Sequence, residues 1–329
     1  MMQIISVKSL SKHFKVYKHH RGTIGAFRNL LTRKQSTIKA VDNLDFSIQR
    51  GELVGYIGPN GAGKSTTIKM LTGLLVPTGG EIVVNEMVPW KDRQEYVSNI
   101  GAVFGQRTTL WWDLPVIESL NLLKHIYKIP DQQFSTNLKE FEELLELTPF
   151  LDTPVRSLSL GQRMRSDLCA ALLHNPDLLF LDEPTIGLDV IAKERIRIFI
   201  RHINKVRRTT VILTTHDLSD VAKLCNRVMI IDKGKLLYDG NLSSLHKRFG
   251  GKRQLIVDFS EIYENYHILG AEILEIDNKR VVYGFERDEL TASELIGRIT
   301  NKFRILDLSV REPEIENTIR KIYEDRLLD

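Results

Sequence analysis

Nine consecutive residues, Gly58-Pro59-Asn60-Gly61-Ala62-Gly63-Lys64-Ser65-Thr66, have the types and spacing of a phosphate-binding loop. Glycines let backbone N–H groups turn onto phosphate oxygens, Lys64 is long enough to reach the β- and γ-phosphates of a nucleoside triphosphate, and the Ser65 hydroxyl suits a Mg²⁺ ligand. Far downstream, the apolar run Leu178-Leu-Phe-Leu-Asp182-Glu183 ends in two adjacent carboxylates. Such a run reads as a buried strand, with Asp182 at its edge to hold Mg²⁺ and Glu183 to polarise a water for attack on the γ-phosphate. Gln106 follows the strand-like segment Ile100–Phe104, where its amide would meet Mg²⁺ or that water, and His216 follows residues 211–215 at a similar edge. Ser157-Leu-Ser159-Leu-Gly161-Gln162 precedes a helical stretch over 163–174. Ser159, the Gly161 backbone and that helix start form a second anion site. A single nucleotide has no evident use for both sites of one chain.

The elements that must position these groups follow from periodicity and turn residues. Leu53–Ile57 is short, apolar and β-prone, and 67–72 reads as helix, so the loop lies between a strand and a helix start. Residues 3–10 and 38–48 alternate as strands, with Arg50-Gly51 as a turn, and 81–85 and Ile100–Phe104 are further strands. Helical periods dominate 115–175, including 116–127 and 134–147. Leu178–Asp182, Thr210–Thr215 and Arg227–Asp232 return to strand, separated by helices near 190–206 and 218–224. Strands interleaved with helices imply an α/β fold with a mostly parallel sheet and a helical subdomain over about 108–175. A boundary near Gly250-Gly251-Lys252 divides the chain into 1–250 and 251–329. In the second part, 254–259, Arg280–Phe285 and Ile305–Arg311 read as strands, and 291–302 and 313–323 as helices, the latter with Pro313 in its first turn. That pattern describes a small α+β accessory domain without a catalytic motif.

Bulk properties narrow the class. The 329 residues are 42% apolar with a net charge of +4, and no run of 18 or more apolar residues occurs. The N-terminus lacks the basic-then-apolar pattern of a secretory signal. The two cysteines, Cys169 and Cys225, lie far apart and outside any metal-binding spacing, so a reducing cytosol is expected. Charge is uneven: residues 1–41 hold nine Lys/Arg and no acid, which leaves the remainder at −5. The basic segment 15–37 includes Lys15, Lys18, Arg21, Arg28, Arg33 and Lys34 around an apolar set, Ile24, Phe27, Leu30 and Leu31, at helical spacing. An acidic membrane surface suits that arrangement, with nucleic acid as the alternative anionic partner and a solvated face as the plain reading.

The order of phosphate loop, Gln106, Leu158-Ser-Leu-Gly-Gln162, Asp182-Glu183 and His216 resembles the ATP-binding cassette family over roughly residues 4–245. The resemblance implies a RecA-like core with antiparallel β and helical subdomains, ATP and Mg²⁺ as cofactors, and Glu183, His216 and Gln106 as the catalytic set. Ser65, Gln106 and Asp182 would surround the metal. It also implies a head-to-tail dimer, with a second copy or a homologous ATPase subunit, in which Ser159, Gly161 and Gln162 of one protomer close on ATP held by Lys64 of its partner. The loop Pro184-Thr-Ile-Gly-Leu-Asp189 looks like the link between the two sites, and His216 like a γ-phosphate sensor. One departure is Leu160, where the family usually has glycine. The adenine platform falls on Phe14, with Tyr17 as the alternative. One compact cassette without sustained heptads favours a membrane-transporter subunit over a soluble ATPase of ribosomes or nucleic acid. The segment Phe104-Gly-Gln-Arg-Thr-Thr-Leu-Trp-Trp-Asp-Leu114, the LSLGQRMR form of the signature and the C-terminal region resemble the branch that pairs with separate ABC-2 type permeases and mostly exports. Basic inserts like 15–37 also occur in exporters of cell-surface polysaccharide or teichoic acid. The expected location is the cytoplasmic face of the membrane, bound to permease. Trp111 and Trp112 then read either as the receiving surface for the permease or as core.

Overall fold

The computed structural model describes residues 2–17, 35–105, 107–249, 252–286 and 289–311, together with Thr318, Ile319 and Ile322. Gln106, the centre of the basic segment and most of 313–323 lie outside the described residues. Contacts divide the chain into Met1–Asn241 and Leu242–Asp329. The division precedes the glycine pair at 250–251 because a helix, Leu242–Phe249, groups with the second unit.

The first unit is built on a six-stranded sheet. In chain order its strands are β3 (Leu53–Ile57), β5 (Ile100–Phe104), β6 (Leu178–Asp182), β7 (Thr210–Thr215), β8 (Arg227–Asp232) and β9 (Lys235–Asn241). They lie in the order β5-β6-β7-β3-β8-β9, parallel except for the final β8–β9 hairpin. Val54, Leu179, Phe180, Leu181, Val211 and Leu213 are buried, as continuous apolar strands in a covered parallel sheet should be. This order brings the C-terminal ends of β3, β6 and β7 side by side, and those ends carry the phosphate loop, Asp182-Glu183 and His216. Ligands of open α/β sheets bind at that edge.

A second, antiparallel sheet joins β2 (Gln35–Gln49), β1 (Gln3–Tyr17) and β4 (Gly79–Val84). Its first two strands are several residues longer than the periodicity of 3–10 and 38–48 predicts. The cause is a series of register shifts between Val7 and His13, with Ser9 and Asn43 at positive φ, which break the period of two that marks a strand. Helices α1 (Lys64–Leu71), α2 (Arg93–Ser98), α3 (Val116–Ile126), α4 (Asp131–Leu145), α5 (Leu160–Leu172), α6 (Val190–Arg207) and α7 (Leu218–Leu224) complete the unit. Helix α5 starts three residues before the predicted position. Ser159 caps it by accepting from the Gln162 N–H, and the Gln162 side chain accepts from the Ser159 N–H, a reciprocal capping box.

The second unit contains α8 (Leu242–Phe249), β10 (Arg253–Phe259), β11 (Glu272–Asp277), β12 (Arg280–Phe285), α9 (Ala292–Thr300) and β13 (Ile305–Arg311). Its strands form an antiparallel sheet in the order β11-β12-β10-β13. Leu255, Val257, Phe259, Tyr283, Phe285, Leu295 and Ile299 share one core. Edge strand β11, mostly exposed, has too little apolar alternation to be read from sequence.

Candidate active site

The phosphate loop joins β3 to α1. Gly63, at φ 108°, adopts a conformation open to glycine, and a Cβ there would lie 2.4 Å from the Ala40 carbonyl oxygen. Gly63 also has no side chain with which to cap α1, so the first-turn N–H groups stay available to an anion. Lys64 lies along the loop, its Nζ donating to the carbonyls of Gly58 at 2.7 Å and Pro59 at 3.2 Å. Burial lowers the Lys64 pKa, opposed by the charges of Glu183 and Asp182. An open cleft of about 510 Å³ is lined by Asn60, Gly61, Lys64, Ser65, Glu183 and His216, among others.

The acidic edge faces this loop. Ser65 Oγ donates to Asp182 Oδ1 at 3.4 Å, and the Thr214 hydroxyl donates to the same oxygen. Asp182, Ser65, Glu183, Lys69 and Gly105 line an adjoining cleft of about 360 Å³. Glu183 is held at φ 56°, a left-handed conformation uncommon for a non-glycine residue, while its N–H donates to the Thr214 carbonyl at 3.0 Å. That turn aims Glu183 Oε2 at His216 Nδ1, 2.6 Å away. Gly105 lies close against this edge: its N–H donates to the Asp182 carbonyl at 2.8 Å, and a Cβ would sit 2.3 Å from the Glu183 carbonyl oxygen.

The structure therefore brings Lys64, Ser65, Asp182, Glu183 and His216 into one place. Ser159, Gly161, Gln162 and Asp189 are absent from the lining of both clefts, and so is Phe14. Phe14 sits in β1 opposite Ile38, 39% exposed, with Lys12 Nζ 5.5 Å from its ring centre. Asp189 caps α6 by accepting from the Ala192 N–H at 2.8 Å. Gln106 lies outside the described residues.

Sequence reasoning passed over Thr214, whose only signal is a pair of hydroxyl residues, Thr214-Thr215, following the apolar centre Val211-Ile-Leu213 of the strand. It also passed over Asp217, next to His216. Burial would raise the Asp217 carboxyl, but donation from Lys193 Nζ at 2.6 Å and from Ser219 holds it at about 2. A folded-state pKa below the unfolded value stabilises the fold above the unfolded pKa and loses that contribution as pH falls. Asp217→Asn should therefore cost on the order of 2 kcal/mol near pH 7 and progressively less between pH 4 and 2. Urea unfolding of both proteins across that range measures the difference.

A glycine-rich loop between strand and helix, facing an Asp-Glu pair across parallel strands, defines a P-loop nucleotide hydrolase. The profile of the ABC transporter family matches residues 41–186. The chain is 31% identical over 284 residues to the linearmycin resistance ATP-binding protein of Bacillus subtilis, covering 84% of this chain and 91% of that protein. It is 36% identical to the bacitracin transport ATP-binding protein of Bacillus licheniformis, over 66% of this chain and 70% of the relative. A dimeric ATP-binding cassette, solved in a post-hydrolysis state with ADP and Pi, superposes with a TM-score of 0.60 at 26% identity, covering 73% of this chain and 99% of that one. The chain belongs to the ABC transporter family. It is an ATP-binding and ATP-hydrolysing subunit, and ATPases of this family dimerise and pair with permeases. Among the described residues no helix is long and apolar enough to cross a membrane.

Proposed function

We propose that this subunit powers an exporter, pairing head to tail with a second ATPase subunit on the cytoplasmic face of the membrane and driving separate permeases of the ABC-2 type. The convergence of Lys64, Ser65, Asp182, Glu183 and His216 on two adjoining clefts carries the catalytic part of that reading. Lys64 and the α1 amides hold the triphosphate, Ser65 and Asp182 (oriented by Thr214) would hold Mg²⁺, and Glu183 takes the proton of the attacking water. Mg²⁺, when bound, neutralises charge developing on the phosphate oxygens. His216 keeps the Glu183 carboxylate in place through its ring nitrogen and faces the cleft with its remaining edge.

Ser159, Gly161 and Asp189 belong to this scheme through the partner protomer. They stand away from this chain's own cleft, yet α5 presents an N-terminal turn suited to phosphate. Export is supported by relatives named for antibiotic resistance and transport. Phe14 would support the adenine ring, and residues 251–329 would form an accessory domain.

The permease contact rests on Trp111 and Trp112, which are 40% and 50% exposed instead of filling the core. Leu74 and Val76 add further exposed apolar surface on the same unit. Two adjacent exposed tryptophans on a loop following Gln106 suit an apolar partner better than water. The test is purification of the tagged subunit from detergent-solubilised membranes. Wild-type protein should bring down a polytopic membrane protein, whereas Trp112→Ala should fold, bind ATP and recover less than about one tenth as much, as for loss of an aromatic anchor. Equal recovery with Trp112→Ala, or recovery of nucleic acid or ribosomes alone, would overturn this contact.

A further inference from the structure

Asp167 lies in the middle of α5 and is 4% exposed, yet no Lys or Arg among the described residues forms an ion pair with it. Its Oδ1 instead accepts three hydrogen bonds from the loop after Gln106: from Thr108 Oγ1 at 2.8 Å, the Thr109 N–H at 2.9 Å and Thr109 Oγ1 at 3.2 Å. Burial pushes its pKa up to about 6 even against those donors. A carboxylate is costly to keep in such a place unless every bond to it is made.

The same loop is fastened further along at Trp111 and Trp112. The Trp111 N–H donates to the buried Ser119 Oγ on α3 at 3.2 Å, and the Trp112 carbonyl accepts from the Arg156 N–H at 3.0 Å. The Arg163 guanidinium of α5 stands 5.7 Å from the Trp112 ring centre. Toward the parallel sheet the loop is held by Arg107, whose N–H donates to the Phe104 carbonyl at 2.7 Å.

We propose that Asp167 is a positioning residue that clamps the loop 108–113 to α5, so that Trp111 and Trp112 travel with Ser159 and Gly161 and not with the phosphate loop. This rests on the reading above that α5 closes on a partner's nucleotide and that the tryptophans meet the permease. Closure of α5 on ATP then displaces the tryptophan loop directly, while Gly105 stays bonded to the Asp182 carbonyl at the sheet edge. The clamp depends on an acceptor at Oδ1, not on charge. Asp167→Asn keeps that oxygen and preserves the link, whereas Asp167→Ala removes it.

The experiment uses the full chain carrying Glu183→Gln to trap the ATP state and Trp90→Phe, so that Trp111 and Trp112 are the fluorophores. Hydrogen exchange at the Thr109 amide should accelerate about tenfold or more in Asp167→Ala and stay within about threefold in Asp167→Asn. Thr108→Val with Thr109→Val leaves Asp167 and its helix in place and removes two of the three donors. It should accelerate exchange at residue 109 by less than Asp167→Ala and lose the same emission change, which keeps the test open if Asp167→Ala folds poorly. Mg-ATP should change tryptophan emission in the parent and in Asp167→Asn. In Asp167→Ala the dimer should form at the same ATP concentration with the emission change lost. Unchanged Thr109 exchange, or a full emission response in Asp167→Ala, overturns the clamp. Failure of the parent to dimerise with ATP overturns the closure reading instead, and Thr109 exchange then decides the clamp alone.

Discussion

Glu183→Gln should retain Mg-ATP binding and lose about 10²–10⁴-fold in turnover, the usual worth of a positioned general base. The amide has nearly the shape of the carboxylate but no basicity, so the cleft lined by Lys64, Ser65 and His216 keeps its form. Binding and chemistry therefore separate. Nucleotide affinity should change little, while ATP accumulates in a dimer that size-exclusion chromatography detects. The Glu183–His216 contact sharpens the expectation, because His216 Nδ1 can donate to the remaining amide oxygen as it does to the carboxylate at 2.6 Å. Lys64→Ala should fail in the opposite way, weakening binding before chemistry begins. Full turnover in Glu183→Gln would remove this residue from its assigned role and leave Asp182 or His216 as the group to examine.

How much of this was legible in the sequence depended on whether a residue acts through local or distant partners. The phosphate loop was readable because glycine spacing, a preceding apolar strand and a following helix are all local signals. The parallel strands were readable because burial on both faces leaves uninterrupted apolar runs such as Leu178–Leu181. The long hairpin of β1 and β2 was not, since bulges near Leu10 and Lys12 disrupt alternation. Ser159 was recognised as an anion-site residue, but its capping box with Gln162 moved the helix start. Asp167 and Thr214 stayed hidden for another reason. Their partners lie 58–59 and 32 residues away, and an isolated acid or hydroxyl carries no pattern until the fold supplies those partners.

Arg197→Met should be the most damaging substitution outside the nucleotide cleft, costing about 3–5 kcal/mol by leaving a buried carboxylate without its cation. Asp220 is fully buried and Arg197 is 4% exposed. Arg197 Nε donates to Asp220 Oδ1 at 2.6 Å, another guanidinium nitrogen approaches the same carboxylate, and Thr185 Oγ1 donates to Oδ2. The guanidinium also donates to Ser219 Oγ at 3.1 Å. Three segments of the site meet here: the loop after Glu183 through Thr185, the first turn after His216 through Ser219 and Asp220, and the helix capped by Asp189 through Arg197. Asp220→Leu should be about as costly, since it strands Arg197. The double replacement, Arg197→Met with Asp220→Leu, should recover much of the loss, because two apolar side chains packed together need no desolvation of charge. Thermal and urea unfolding of the four proteins give the cycle. For a unit of this size each single change should lower Tm by roughly 10 °C. Turnover distinguishes positioning from stability: with the fold restored in the double variant, a persistent fall in hydrolysis would show that the ion pair also holds Glu183 and His216 in register. Additive losses in the cycle would mean that Arg197 and Asp220 contribute independently, and the buried pair would not be what joins the three segments.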